Sequence, residues 1–444
     1  MRTILTLTVL LSTAFAFAEE IKINYDEAKV PQYTLPDPLT CNDGTKVTTV
    51  EQWEKVRRPE ILEQFQREMF GRLPKALREA GNHPDFVTFQ VFEQSDNAYH
   101  GKAIRKQVEI TFKSLTSDET VKANLLIYLP KNAPKPVPMF VGYNFQGNHT
   151  IPDEPEVVLF HTRNSLEPVD ESKLEGKGAR GGSASRWDLD QILDAGYGLA
   201  TIHYNDVAFD GNKCHDTGIC KLYGIAHDSE TREADEWGAI TAWAWGMGRV
   251  MDYFETDPQI DAKRVALMGH SRLGKTSLWT GASDPRFAIV ISNDSGCGGA
   301  ALSRRNYGET VHRINVSFPF WFCLNFRKYN EDLAALPMDE HELIALMAPR
   351  PVYVASASED KWADPNGEYQ SCFFAVPVYQ LYGTKTPFDG LEAPNWPGAE
   401  NPVGNIIGYH CRKGGHDVQS YDWTQYIKFA DKYLQIKSCF KTSL

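Results

Sequence analysis

A largely apolar run from Ile4 to Phe17 follows Met1-Arg2 and ends in Ala16-Phe17-Ala18 before Glu19-Glu20. That layout is a secretory signal peptide with a small-residue cleavage site, predicted over residues 1–18. The run is shorter than the ~20 apolar residues a spanning helix needs. Residues 19 to about 50 contain Pro and Asp with little pattern and predict an extended arm lying over the rest of the chain. From Val50 to Phe70 the rhythm becomes helical, with Trp53, Ile61, Leu62, Phe65 and Met69 spaced among charges and Gly71 and Pro74 ending the run. Between Phe86 and Leu129 it turns to alternation, in segments around Val87–Phe92, Lys106–Phe112 and Ala123–Tyr128. Three such strands separated by turn residues predict antiparallel pairing at one edge of a larger sheet.

Beyond Pro138, short apolar strands alternate with helices. Met139–Tyr143, Gly198–Ile202, Val265–Met268, Ala288–Ile291 and Val352–Ala355 read as strands, and Trp237–Phe254 reads as a buried helix. The helix before Gly198 carries Trp187, Ile192 and Leu193. Strand and helix in turn predict an α/β fold, a mostly parallel sheet with helices on both faces. Catalytic groups then belong at the carboxyl ends of the strands. Long loops at 153–185, 205–232 and 384–405 are insertions of functional length.

Composition narrows the class of partner. The formal net charge of -12 removes the electrostatic reward that nucleic acid or an anionic membrane surface gives a basic face. With the leader gone, roughly 425 residues suit one large catalytic domain, 19–444, with insertions. Eight cysteines in an exported chain predict some disulfides. Cys214 and Cys220, bracketing a Gly-containing loop, are the best local pair. A metal site with His215 is the competing reading, and no second Cys/His cluster at zinc spacing accompanies it.

The sharpest chemical signal is Gly269-His270-Ser271-Arg272-Leu273-Gly274-Lys275, where a strand runs into a helix through a turn centred on Ser271. Such an elbow lifts a serine hydroxyl above the sheet toward a base. The usual Gly-x-Ser-x-Gly is not met, because Leu273 stands at the second Gly and Gly274 comes one residue late. Asp294, Asp360 and then His416, in Gly414-Gly415-His416, follow in hydrolase order. A serine needs a base to take its proton, and a carboxylate must fix the imidazole tautomer. Of the other histidines, His270 is expected to point away from Ser271 into packing, and His215, His341 and His410 to be structural. His149 and His203, on loops near the expected cleft, are candidates for lining it.

These residues resemble the family 15 carbohydrate esterases, which include the 4-O-methyl-glucuronoyl methylesterases. The elbow, Asn293-Asp294-Ser295-Gly296-Cys297-Gly298-Gly299, Ser303–Thr310, Glu359-Asp360-Lys361-Trp362-Ala363-Asp364-Pro365 and the Gly-Gly-His416 loop carry the likeness, from about Phe140 onward. The resemblance implies an α/β-hydrolase fold, a three-layer sandwich, and a cofactor- and metal-independent serine esterase with Ser271 as nucleophile and His416 as base. It further implies Arg272 as a cation at the oxyanion, and Lys275, Glu309 and Trp362 as residues that hold the sugar. Many members carry Glu at Asp294, and some bacterial ones use an Asp at Asp360; Asp294 ranks slightly first here. The implied substrate is an ester of (4-O-methyl-)glucuronic acid in glucuronoxylan, cleaved by a secreted or periplasmic monomer. An acetyl- or feruloyl-xylan esterase and a catalytically inactive carbohydrate-binding relic are the alternatives.

Overall fold

The computed structural model describes residues 23–160, 170–224 and 232–435. The leader read at 1–18 lies outside these residues, as do parts of two of the long loops. One sheet organises the chain. Its strands are β1 (Val87–Ala98), β2 (Ala103–Lys113), β3 (Thr120–Pro130), β4 (Val137–Asn144), β5 (Gly198–His203), β6 (Ile260–His270), β7 (Ile289–Asn293), β8 (Val352–Ala357), β9 (Val403–Gly404) and β10 (Ile407–Arg412). They lie in the order β1-β2-β3-β5-β4-β6-β7-β8-β10-β9. The β1–β2, β2–β3 and β3–β5 pairs are antiparallel, and the pairs from β5–β4 through β8–β10 are parallel.

The parallel strands are largely apolar where both faces are covered, β6 carrying Asp261, Lys263 and Arg264 only at its start. Alternate residues go to separate cores. Val265 and Leu267 of β6, Val290 of β7 and Val352 and Val354 of β8 join the core that holds Trp243 and Trp279. Ala266, Met268, Ile289, Ile291, Tyr353 and Ala355 join a second core around Trp187 and Trp423. Helices Ala239–Phe254 and Arg272–Ser283 cover the first face, and Leu189–Asp194 and Ser420–Ala430 the second. This is the expected three-layer arrangement with its antiparallel edge.

The run from Val50 to Phe70 is continuously helical, with π-helical segments at Trp53–Arg57 and Gln66–Phe70. It stops at Gly71, whose φ is 84° and whose missing Cβ would sit 2.5 Å from the Glu236 carbonyl oxygen. The arm from residue 23 onward is largely without regular structure and lies on the domain, Cys41 and Val47 reaching the core. Cys214 and Cys220 are both buried, with their Sγ atoms 3.5 Å apart and not bonded. The pair is unbonded in this geometry, since an S–S bond is about 2.05 Å long.

Candidate active site

Four neighbouring strands, β6, β7, β8 and β10, end at the same edge of the sheet. Their parallel register puts His270 beside Asn293, Asn293 beside Ala355, and Ala357 beside Arg412. The chain beyond each strand end supplies one group: Ser271 directly after β6, Asp294 directly after β7, Asp360 after β8 and His416 after β10. A cleft of about 360 Å³ opens there, lined by Ser271, Arg272, Lys275, Asp294, Glu309, Asp360, Trp362 and His416. The structure thus brings Ser271, Arg272, Lys275, Asp294, Glu309, Asp360, Trp362 and His416 to one cleft.

Ser271 has φ 59° and ψ -130°, an uncommon conformation for a residue with a side chain. It is fixed by its N–H donating to Asn293 O at 2.8 Å and by its carbonyl accepting from the Gly274 and Lys275 N–H groups at 2.8 and 3.1 Å. The irregular glycine spacing has a steric cause. A Cβ on Gly269 would lie 1.9 Å from the Leu273 carbonyl oxygen, and one on Gly274 would lie 2.9 Å from Ser295 Cβ. The helix therefore approaches its own strand through the backbone of Leu273 and the next strand through Gly274. A side chain is tolerated at 273 because Leu273 itself turns into the core.

His416 Nδ1 lies 2.6 Å from Asp360 Oδ2, and the His416 side chain remains 41% exposed. With Nδ1–H given to the carboxylate, Nε2 is left to accept a proton. The order of the two acids is the reverse of the sequence reading. Among the described residues, both carboxylate oxygens of Asp294 are buried without a hydrogen-bond partner, and the closest approach of a cation is Arg412 Nη2 at 3.6 Å. Asp294 has φ 44° and its N–H donates to Ala355 O at 2.7 Å, which ties it to the end of β8. Burial, then Glu368 and Asp360 nearby, hold its carboxyl well above the usual range. Asp360 sits instead on a loop zipped to the histidine loop, the Glu359 N–H donating to Gly414 O at 2.9 Å.

Arg412 shapes that histidine loop and was not singled out in the sequence. Buried at the end of β10, its guanidinium donates to the carbonyls of Lys413, Gly415 and Asp417 at 3.0, 2.6 and 2.6 Å and to Asp422 at 3.0 Å. Asp210, Phe318 and Trp321 were missed as well. The Arg272 guanidinium donates to Asp210 and lies over the rings of Phe318 and Trp321 at 5.3 and 4.6 Å. Trp321 Nε1 and the Tyr204 hydroxyl donate to the same carboxylate at 2.7 and 2.9 Å. The guanidinium is thereby held in one plane beside Ser271.

Lys275 is 3% exposed, and its ammonium donates to Ser295 O, Cys297 O and Glu309 Oε2 at 2.7, 2.6 and 2.7 Å. Those acceptors use all three of its protons, so Lys275 acts first on the position of Glu309. Glu309 N–H in turn donates to Trp362 O at 2.8 Å, which couples the two sugar-candidate loops. His149 and His203 do not line the cleft: both are buried, His149 against Gly178 O at 3.1 Å and His203 against Asp206 at 3.2 Å. His270 is buried as expected, yet its ring lies 4.4 Å from that of His416, with Nδ1 2.6 Å from Asn293 Oδ1. His410 lies within β10 between Tyr353 and Asp422.

Asp294, Asp360 and His416 are close enough to be considered as metal ligands. Two of the three are already joined by the 2.6 Å hydrogen bond, and the chemistry of the other groups is that of acyl transfer. A serine at a strained turn, a histidine fixed by a carboxylate and a guanidinium beside them can attack a carbonyl, move its proton and stabilise the oxyanion.

The chain is similar to known proteins over nearly its whole length. The family description "Glucuronyl esterase, fungi" matches residues 186–383. Carbohydrate esterase MZ0003, from an unidentified prokaryote, is 47% identical over 436 residues, covering 97% of this chain and 96% of its own. The 4-O-methyl-glucuronoyl methylesterase 1 of Wolfiporia cocos is 28% identical over 80% of this chain and 74% of its own. Among solved structures, the glucuronoyl esterase from Solibacter usitatus superposes with a TM-score of 0.82 at 44% identity, covering 91% of this chain and 99% of that one. On fold, site and similarity together, the chain belongs to the family 15 carbohydrate esterases, the glucuronoyl esterase family, and is a carboxylic ester hydrolase.

Proposed function

We propose that this enzyme hydrolyses esters of (4-O-methyl-)glucuronic acid, the linkage that joins glucuronoxylan side chains to alcohols, through an acyl-enzyme on Ser271. The observation that carries the reading is one cleft holding both a Ser271–His416–Asp360 array and a buried Lys275–Glu309 pair beside Trp362. His416 Nε2 takes the Ser271 proton as Oγ attacks the ester carbonyl, and Asp360 stabilises the imidazolium. Arg272 faces the charge that develops on the carbonyl oxygen. A single such donor is worth about 3 to 4 kcal/mol of barrier in a preorganised site. His416 then returns the proton to the departing alcohol, and a water deprotonated by the same nitrogen releases the glucuronate.

Glu309, braced by Lys275, accepts from a sugar hydroxyl, and Trp362 offers its partly exposed indole to the ring. An acetyl ester has no sugar acid for these groups to read, and an inactive relic has no use for a strained serine beside a paired histidine. The chain acts outside the cytoplasm after removal of residues 1–18; no helix among the described residues is long and apolar enough to cross a membrane.

Substitutions on the sugar side test the substrate class. Glu309→Gln and Trp362→Ala are expected to raise KM for benzyl glucuronate by about tenfold, the worth of one lost hydrogen bond to a charged group at Glu309 and of one lost aromatic contact at Trp362. Turnover of p-nitrophenyl acetate should not change. Equal losses on both esters would remove the sugar-reading role and with it the glucuronate assignment.

A further inference from the structure

The start of the N-terminal arm, residues 24–27, is tied to the two loops that carry Glu309 and Trp362. The Asn24 carbonyl accepts from the Gly308 N–H at 2.8 Å, and the Tyr25 carbonyl accepts from the Tyr307 hydroxyl at 3.1 Å. Glu27 receives both the Arg305 guanidinium, at 2.7 and 2.9 Å, and the Asn366 amide at 2.8 Å. Arg305, 2% exposed, bridges onward to Asp364 at 2.7 Å. Tyr307 is two residues before Glu309, and Asp364 two residues after Trp362. The arm therefore borders the wall of the cleft to which the sugar is assigned.

All of that anchoring uses backbone oxygens and the Glu27 carboxylate. The Tyr25 ring takes no part in it and stays 44% exposed, meeting the Tyr307 ring edge to face at 6.2 Å and 87°. Arg305 lies 5.8 Å from the Tyr307 centroid and fixes that ring from beneath. The Tyr25 phenol is pushed above its ordinary value by burial and by the Asp360 carboxylate, so it lies within electrostatic reach of the cleft. A half-exposed aromatic pair on a braced support offers flat apolar faces with a polar tip. The C–H face of a pyranose fits such a surface.

We propose that Tyr25 and Tyr307 form a second carbohydrate subsite, which takes a neutral pyranose of the polymer chain that carries the esterified glucuronate. The proposal rests on the glucuronate reading and extends it to the polymer. An aryl group on the alcohol would stack on tyrosines equally well, but the pair borders Glu309 and Trp362, the side of the acid. Polymer and sugar acid remain joined when the ester is cut, so a polymer subsite belongs on that side.

The test compares methyl glucuronate with the same methyl ester carried on a xylo-oligosaccharide, and then with its benzyl ester. Tyr25→Ala and Tyr307→Ala are expected to raise KM for the oligosaccharide-borne ester by about three- to tenfold, the effect of one lost aromatic contact. Methyl glucuronate should respond by less than about twofold, and Tyr25→Phe, which keeps the ring, should behave as wild type on both. Equal KM changes on the free and the oligosaccharide-borne ester would overturn the subsite, as would a change that follows the alcohol from methyl to benzyl. Wild-type enzyme that cleaves none of these esters would remove the glucuronate reading itself. The two failures are thereby distinct.

Discussion

Asp360 and Asp294 show how much one neighbouring group decides. Asp360 accepts from His416 at 2.6 Å, whereas Asp294 is buried with no donor on either oxygen among the described residues. Asp360→Asn should lower kcat on benzyl glucuronate by about 10³- to 10⁴-fold, the usual result of losing the tautomer-fixing acid. Asp294→Asn should cost less than about tenfold; the reverse order would restore Asp294 as the working acid. Stability carries a second signature of the same burial. Because the folded state raises the Asp294 pKa, its carboxyl favours folding most below the unfolded value of 3.8, and that contribution is lost as pH rises through the folded pKa. Asn mimics the neutral form, so the Tm advantage of Asp294→Asn over wild type should be near zero at about pH 4 and widen toward about pH 8. A gap that is constant with pH would contradict this. Asp210 is the third case: Asp210→Asn should release Arg272, lowering kcat by about ten- to a hundredfold with little change in KM. In an Arg272→Ala background it should add nothing, because the two act as one unit. Additive losses would mean that Asp210 works by another route.

At the level of elements, the turn around Ser271 is the most demanding. Gly269→Ala would force a Cβ into a 1.9 Å contact with backbone, so it should destabilise the fold by about 3 kcal/mol or more in urea unfolding and abolish activity. An unchanged midpoint would mean that the turn has room the geometry denies. That turn was legible in the sequence because its requirements are local: a strand, two glycines and a serine within a few residues. Five of the six parallel strands were equally legible, since strands buried on both faces read as short apolar runs; β10, which carries His410 and Arg412, made no such run. β9, with two residues, gave no pattern to detect. The π-helical segments of Trp53–Arg57 and Gln66–Phe70 keep a helical spacing of apolar residues and so read as ordinary helix. Asp210, Phe318, Trp321 and Arg412 escaped notice for a different reason. The first three are defined by partners brought close only when distant segments meet, Arg272 and Asp210 being 62 residues apart; Arg412 holds carbonyls of its own loop, a role that no residue pattern announces. The choice between Asp294 and Asp360 is of the same kind, because both follow strands and only the approach of the histidine loop separates them.

Across the whole molecule, a ten-stranded sheet delivers four chain segments to one edge, and the arm braces the loops on the far side of the cleft. Both cysteines of the Cys214–Cys220 pair are buried and face each other. If export exposes the folding chain to oxidant, a modest closure of the 3.5 Å gap joins them, and intact mass should fall by two hydrogens. Protein that retains both thiols after oxidative export would fix the reduced pair as the native state. The central claim is more direct: the ester of a glucuronate is attacked by Ser271. It is tested by the steady-state hydrolysis of benzyl glucuronate beside p-nitrophenyl acetate, with wild-type enzyme and Ser271→Ala. The account predicts that wild type strongly prefers the glucuronate ester and that the Ala variant cleaves neither. Turnover of the acetate alone, or an Ala variant that keeps its glucuronate activity, would contradict it.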